Sequence, residues 1–235
     1  EGVSENFGTE KEIDKYDGEI AFTDQHLGRL LDAFERLGFA ANTIVVIVAD
    51  HGEEFGEHGH QGHGYDLHEE VVHVPLALRV PGIVPRRVSG AVPTVDLMPT
   101  LLEVCGAHAV HEIDGRSLLP LLRGEPGPAR EAFSEVRWKF GDDLASLRRD
   151  PWKFIGGSRG AETVERLFDH SLDPTETKNV LAEHPDVAAE MRLALRARLE
   201  RARAMGASYE RQAISDLTPA EQERLKGFGY TGETK

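Results

Sequence analysis

Thr43-Ile44-Val45-Val46-Ile47-Val48-Ala49-Asp50-His51-Gly52-Glu53-Glu54-Phe55-Gly56-Glu57-His58-Gly59-His60-Gln61-Gly62-His63-Gly64 is the stretch whose reading decides the fold. Its first seven residues are β-branched or apolar without polar alternation, the pattern of a strand buried on both faces inside a parallel sheet. The run stops at Asp50-His51-Gly52, where the chain turns polar and rich in glycine and histidine. In open parallel sheets, ligands sit just beyond the carboxyl ends of the strands. Asp50 and His51 therefore stand where chemistry is expected, and the next dozen residues can fold over them. Six of the eleven histidines (His51, His58, His60, His63, His68 and His73) cluster here with Glu53, Glu54, Glu57, Asp66, Glu69 and Glu70. A carboxylate and an imidazole side by side can reach one divalent cation. Oxygen suits Ca²⁺, Mg²⁺ and Mn²⁺, whereas imidazole tilts preference toward Mn²⁺, Zn²⁺ or Fe. The plainer alternative is a solvated His/Glu loop; the position just after a buried strand favours a metal site, whose remaining ligands must come from elsewhere.

Outward from this stretch the chain reads as alternating helix and strand. Residues Glu1 to Lys15 are charged and expected as a loop. A helix follows, with Ile20, Leu27, Leu30, Leu31, Phe34 and Leu37 on one face and Gly38 at its left-handed cap. After the histidine-rich loop, Val71 to Val80 reads as a second buried strand or strand entry, stopped by Pro81-Gly82. Thr94 or Asp96 can cap a helix through Leu97, Leu101, Leu102 and Val104, with Pro99 in its first turn. Cys105, at the apolar end of that helix, reads as a core residue. Pro120 to Pro128 looks like a linker, which divides the chain into 1–125 and 126–235. Beyond it, Ala132–Trp138, Trp152–Ile155 and Arg166–Asp169 are short strands of a small antiparallel sheet. Pro185 to Met205 is a helix with Val187, Met191, Leu195 and Leu199 at steps of four. Thr218-Pro219-Ala220-Glu221 carries a capping box for a terminal helix. The expected class is α/β: a partial, mostly parallel sheet flanked by helices, then a small α+β subdomain.

Across 235 residues the net charge is −14, so no basic face is available to neutralise phosphates and nucleic acid is excluded as a partner. No apolar run reaches the roughly 20 residues that span a bilayer. The single cysteine excludes an internal disulfide and a cysteine-rich zinc site. The chain starts at Glu1 with neither an initiator methionine nor a signal-peptide pattern, so the beginning of the natural protein is expected to be missing.

An ordered series of short motifs resembles the sulfatase family of the alkaline phosphatase superfamily. It comprises Tyr16-Asp17-Gly18-Glu19-Ile20 with Asp24 and Gly28-Arg29-Leu30-Leu31, then Asn42-Thr43-Ile44-Val45 and Asp50-His51-Gly52-Glu53. Next come Gly56-Glu57-His58-Gly59, Gly62-His63-Gly64, Glu69-Glu70-Val71 with Val74-Pro75-Leu76, and Val80-Pro81-Gly82. Downstream are Val95-Asp96-Leu97-Met98-Pro99-Thr100, Asp114-Gly115-Arg116-Ser117-Leu118, Trp152-Lys153-Phe154-Ile155, Leu167-Phe168-Asp169 and Asp173-Pro174-Thr175-Glu176 with Asn179. The resemblance covers nearly the whole chain and implies an alkaline-phosphatase-like sheet for its first part.

The resemblance also implies roles. Asp50 and His51 match the family's downstream pair of metal ligands. The expected ion is one divalent cation, Ca²⁺ first, with Mn²⁺, Mg²⁺ or Zn²⁺ as alternatives. An Asp-His pair in place of Asp-Asn is similar to the branch shared with phosphonate and phosphodiester hydrolases. His63 stands where relatives carry a lysine that contacts the sulfate and the leaving-group oxygen, and a protonated imidazole could do similar work. His58 and His60 are expected as loop or supporting residues, and His68 as packing beside the site. The family's formylglycine, made from Cys or Ser in a C/S-x-P-x-R motif, has no counterpart here and is expected in a missing N-terminal part. The chain is thus expected to be the C-terminal portion of a sulfate monoester hydrolase, inactive by itself, acting on a small-molecule or carbohydrate sulfate ester. Phosphoester chemistry and a non-catalytic metal-binding role are the alternatives. Relatives are often exported, so the resemblance implies a periplasmic or secreted location, while the residues leave location and oligomeric state open.

Overall fold

The computed structural model describes residues 12–127, 130–137, 143–208, 218–221 and 224. Helix α1 (Glu12–Arg36) carries the expected apolar stripe but starts inside the segment read as a loop, with Lys15 paired to Glu12 at 2.8 Å across one turn. Positions 1–11 of that segment lie outside the described residues. The helix closes in a Schellman motif: Gly38 takes φ +76°, its N–H donates to Glu35 O, and Phe39 N–H donates to Phe34 O. None of its described side chains is buried, and Ile20 and Leu30 remain about half exposed. Periodicity marks which face takes apolar cover without naming the segment that supplies it.

Strand β1 (Val45–Val48) comes next, then a hairpin of two-residue strands, β2 (Glu54–Phe55) and β3 (Gln61–Gly62). Helix α2 (Glu69–Val72) leads into β4 (Leu76–Arg79), which returns antiparallel to β1 with Val45 opposite Arg79 and Val48 opposite Leu76. The expected mostly parallel sheet is represented here by this antiparallel pair, and β1 is half-buried rather than covered on both faces, with Val48 41% exposed. A β-branched run reports how much cover a strand suits and is silent on the direction of its neighbour. The expected strand from Val71 is also corrected. His68 is extended at ψ 163°, Glu69 and Glu70 occupy a first helical turn, and Val71 and Val72 complete it. The strand starts only after Pro75, which lacks the N–H to continue the helix.

Helix α3 (Leu97–Val104) follows a 3₁₀ turn over Thr94–Asp96. Asp96 does not cap it. Its buried carboxylate accepts Arg116 N–H at 2.8 Å and is gripped by the Arg130 guanidinium. Cys105 is exposed rather than in the core, because the last turn of α3 ends at the surface. Helix α4 (Leu119–Arg123) takes up the start of the expected linker, with Pro120 in its first turn and Gly124 closing it at φ +84°.

The densest core lies downstream. Strands β5 (Ala132–Arg137), β6 (Asp143–Arg149), β7 (Trp152–Arg159) and β8 (Glu162–Asp169) form an antiparallel meander in sequence order. Trp138, expected at the end of β5, lies outside the described residues. One face carries Leu147, Phe154 and Leu167, all essentially inaccessible, beneath Ala188, Met191 and Leu195 of α5 (Pro185–Ser208). The other carries Leu144, Ile155 and Phe168, which enclose Leu67 from the segment before α2. Each such side chain contributes about 1.5–3 kcal/mol on full burial, so this sheet anchors the chain between β3 and α2. The described chain divides into two compact units, Glu1–Leu195 and Arg196–Lys235. In the second, Thr218 and Glu221 form the expected capping box, Glu221 Oε2 accepting Thr218 N–H at 2.8 Å. Among the described residues, no helix is long and apolar enough to cross a membrane.

Candidate functional site

β1 delivers Asp50 and His51 to its carboxyl end. Asp50 Oδ1 accepts the His51 backbone N–H at 3.0 Å, and its 91% exposed side chain brings Oδ2 to 3.9 Å from His51 Nε2. His51 donates from Nδ1 to Gly52 O at 2.8 Å, which leaves the lone pair on Nε2, the tautomer a metal ligand needs. Behind this turn, Gly52 N–H donates to Val71 O at 2.8 Å. The two segments approach so closely that a Cβ on residue 52 would lie 2.0 Å from Glu70 O. Only glycine fits there.

The loop then brings His63 back over His51. Their rings stack with centroids 3.8 Å apart, and His63 donates from Nδ1 to Glu53 Oε2 at 3.1 Å. His51, Glu53 and His63 each offer a ligand atom, all within 4.8 Å of one another. Of the three residues expected from sequence, the structure joins His51 and His63, sets Asp50 beside His51 but outside that trio, and adds Glu53. The sequence signal for Glu53 was its place two residues after His51, among carboxylates too numerous to rank. The His51 imidazole with carboxylate oxygens beside it fits a divalent cation, and His63, its Nδ1–H given to Glu53, stands over that pair.

Two other groups of ligand-type side chains are already committed. Glu54, Glu70 and His58 come together, but Glu54 Oε1 accepts the His58 and His60 N–H groups at 3.0 and 2.8 Å. His58 faces Glu70 Oε1 at 2.5 Å through Nδ1 and Glu176 O at 3.1 Å through Nε2. Both ring nitrogens must therefore donate. Burial opposes that charge, but the Glu70 and Glu176 contacts outweigh it and raise the imidazole above its ordinary value. Glu69, His170 and Glu176 also converge, and there Lys153 Nζ takes the central position, 3.1 Å from Glu69 and 2.7 Å from Glu176.

These groups belong to one buried network. Asp66 receives Arg159 and Arg166 at 2.9 and 2.7 Å, and although burial works against its charge, Arg166 and the Leu67 N–H hold it below the carboxylate range. His68 donates to Glu176 Oε2 at 2.9 Å, accepts Arg166 through Nε2, and stacks on His58 at 3.6 Å. Sequence reasoning gave no role to Lys153, Arg159, Arg166 or Glu176. Each has a partner in the distant segment from Asp66 to Glu69, beyond the reach of any local pattern.

With this geometry in hand, the relatives are informative. The model of a family described as "Sulfatase" matches residues 2–107, and one described as "N-sulphoglucosamine sulphohydrolase, C-terminal" matches residues 56–205. The chain belongs to the sulfatase family. Bovine (Bos taurus) arylsulfatase K is 34% identical over 203 residues, covering 80% of the chain and 37% of the relative. The chain thus spans well under half the length of this curated relative. Among solved structures, a protein in complex with its substrate D-glucosamine-2-N,6-O-disulfate is 25% identical with a TM-score of 0.68, over 80% of this chain and 40% of that one. The phosphonate monoester hydrolase of Agrobacterium radiobacter is 28% identical with a TM-score of 0.67, over 79% and 41%. The fold is accordingly α/β, of the sulfatase, alkaline-phosphatase-like type, followed by the antiparallel sheet of β5–β8. Family membership implies a divalent metal and a formylglycine.

Proposed function

We propose that this sulfatase chain supplies the downstream half of a metal-dependent site that hydrolyses sulfate monoesters, those of sulfated carbohydrates foremost. The observation that carries the reading is the meeting of His51, Glu53 and His63 at the end of β1 beside Asp50. Asp50 and His51 hold the cation; their facing atoms, 3.9 Å apart, are spaced as two ligands of one ion can be. When bound, the cation draws charge from the sulfuryl oxygens. Glu53 fixes the His63 ring through Nδ1, which leaves Nε2 to hold a sulfuryl oxygen or give a proton to the departing alcohol. The nucleophile belongs to an upstream half, without which this chain does not turn over substrate. The division at 125/126 is retained as a working boundary between the catalytic part and the small subdomain. A carbohydrate substrate is supported by the disulfated glucosamine bound to a structural relative.

A second reading, hydrolysis of phosphonate monoesters or phosphodiesters, is favoured by the Asp50-His51 pair and by the likeness to a phosphonate monoester hydrolase. Assay of the protein carrying its upstream half on 4-nitrophenyl sulfate, a phosphate diester and a phosphonate monoester separates them. A kcat/KM highest for the sulfate supports the sulfatase reading; a clear preference for either phosphorus ester overturns it.

A further inference from the structure

Glu176 lies far from Asp50 in sequence, yet it is tied to the loop that carries the candidate site. Its side chain is wholly inaccessible, and among the described residues it is the non-glycine residue with left-handed backbone, at φ +57°. A carboxylate held in that conformation is kept there by its surroundings. Asp173 builds the turn, accepting Lys178 N–H at 2.8 Å and Thr177 Oγ1 at 3.1 Å, while Glu176 N–H donates to Asp173 O. Asn179 fastens the turn to β8 by accepting Leu167 N–H at 3.0 Å.

From this turn Glu176 reaches in three directions. Oε2 accepts His68 Nδ1–H at 2.9 Å and the Glu69 N–H at 3.1 Å, at the first turn of α2. Oε1 accepts Lys153 Nζ and His170 Nε2, both at 2.7 Å, from the end of the antiparallel sheet. The backbone carbonyl accepts His58 Nε2–H at 3.1 Å, inside the β2–β3 loop. Two routes lead on to the site. Through α2, Val71 O holds Gly52, next to His51. Through His58 and the buried Glu54, the loop is drawn closed so that Glu54 pairs opposite Gly62, which places Glu53 under His63.

We infer that Glu176 is a positioning residue of the candidate site: through His58, His68 and α2, this subdomain carboxylate sets where His51 and His63 stand. The inference rests on the proposed reading of that site for its functional meaning, but its test does not. No metal or substrate is added, so the result stands whether or not Asp50 and His51 bind a cation.

The test compares amide hydrogen exchange in the wild-type chain and Glu176→Gln, with the histidine ring ¹⁵N signals recorded at one fixed pH. The inference requires at least tenfold faster exchange at Gly52 and through residues 53–63, unchanged exchange in β6 and β7, and shifted ring signals for His51 and His63. Unchanged loop exchange overturns it. So do unshifted rings, and so does loss of protection in loop and sheet together, which would mark a residue that merely stabilises the fold. Should Glu176→Gln not fold, His58→Phe takes its place, keeping a flat ring on His68 while removing both donors. The same loop-confined pattern is required of it, and its absence overturns the inference.

Discussion

At the scale of single residues, the candidate site depends on which ring nitrogen each histidine leaves open. His51 and His63 each spend Nδ1 on a neighbour, Gly52 O and Glu53 Oε2, which leaves Nε2 for other work. His58 spends both nitrogens and is closed to a metal. The sequence offered no means of separating them, since all three stand in one glycine-punctuated run and the hydrogen bonds that distinguish them come from folding. What it did disclose was Asp50-His51 at the end of an apolar strand and, by family resemblance, His63 as their partner. If His63 protonates the departing oxygen, His63→Ala in the protein carrying its upstream half should leave metal content unchanged. It should lower kcat/KM by about 10²–10⁴-fold for poor leaving groups and much less for 4-nitrophenyl esters. An equal loss across a leaving-group series would remove His63 from the acid role.

At the scale of elements, two close fits hold the site turn and the sheet behind it. Gly52 passes so near Glu70 O that an added methyl has no room. Gly52→Ala is expected to cost about 1–3 kcal/mol through overpacking and to loosen the Asp50-His51 turn; an unchanged urea midpoint would contradict the close approach. Phe154, wholly enclosed between the sheet and α5 with Arg192 above its ring at 5.8 Å, is expected to cost about 3–5 kcal/mol as Phe154→Ala. A loss below about 1 kcal/mol by the same measurement would place the core elsewhere. Helix α1, β5, β7 and α5 were legible because length, periodicity and turn residues agree there. β6 was not, since Leu144-Ala145-Ser146-Leu147 is buried on both faces and shows no alternation. α2 was hidden for a related reason: Val71-Val72 suits a strand locally, and only the tie of Glu69 N–H to Glu176 shows where its first turn is held.

At the scale of the whole described chain up to Leu195, buried ion pairs join the histidine loop to the antiparallel sheet, and their linkage to protons has a definite sign. Burial opposes ionisation of Glu176 and Asp66, but the His170, His68 and Lys153 contacts lower the first from its ordinary 4.5, and Arg166 with Leu67 N–H lowers the second from 3.8. The unfolded chain then binds more protons in acid, so this stability is present above those ordinary values and is lost as pH falls through the lower folded ones. His58 acts oppositely: raised from 6.5 by Glu70 and Glu176 against burial, its contribution is full below 6.5 and fades as pH rises through its folded value. The urea midpoint should therefore fall below pH 4.5, less steeply in Asp66→Asn, where Arg159, Arg166 and His68 no longer meet a titrating group at position 66. An Asp66→Asn profile parallel to wild type would show that this pair adds nothing. This network was not legible beforehand, because the pairs that join the histidine loop to the sheet link distant segments and look solvated when read locally.

The most direct test of the central claim is anomalous diffraction at metal absorption edges from crystals of the protein carrying its upstream half. The account predicts one divalent cation within about 2.0–2.6 Å of both an Asp50 oxygen and His51 Nε2. A fully occupied ion bound elsewhere, with Asp50 and His51 both turned away from it, would contradict it.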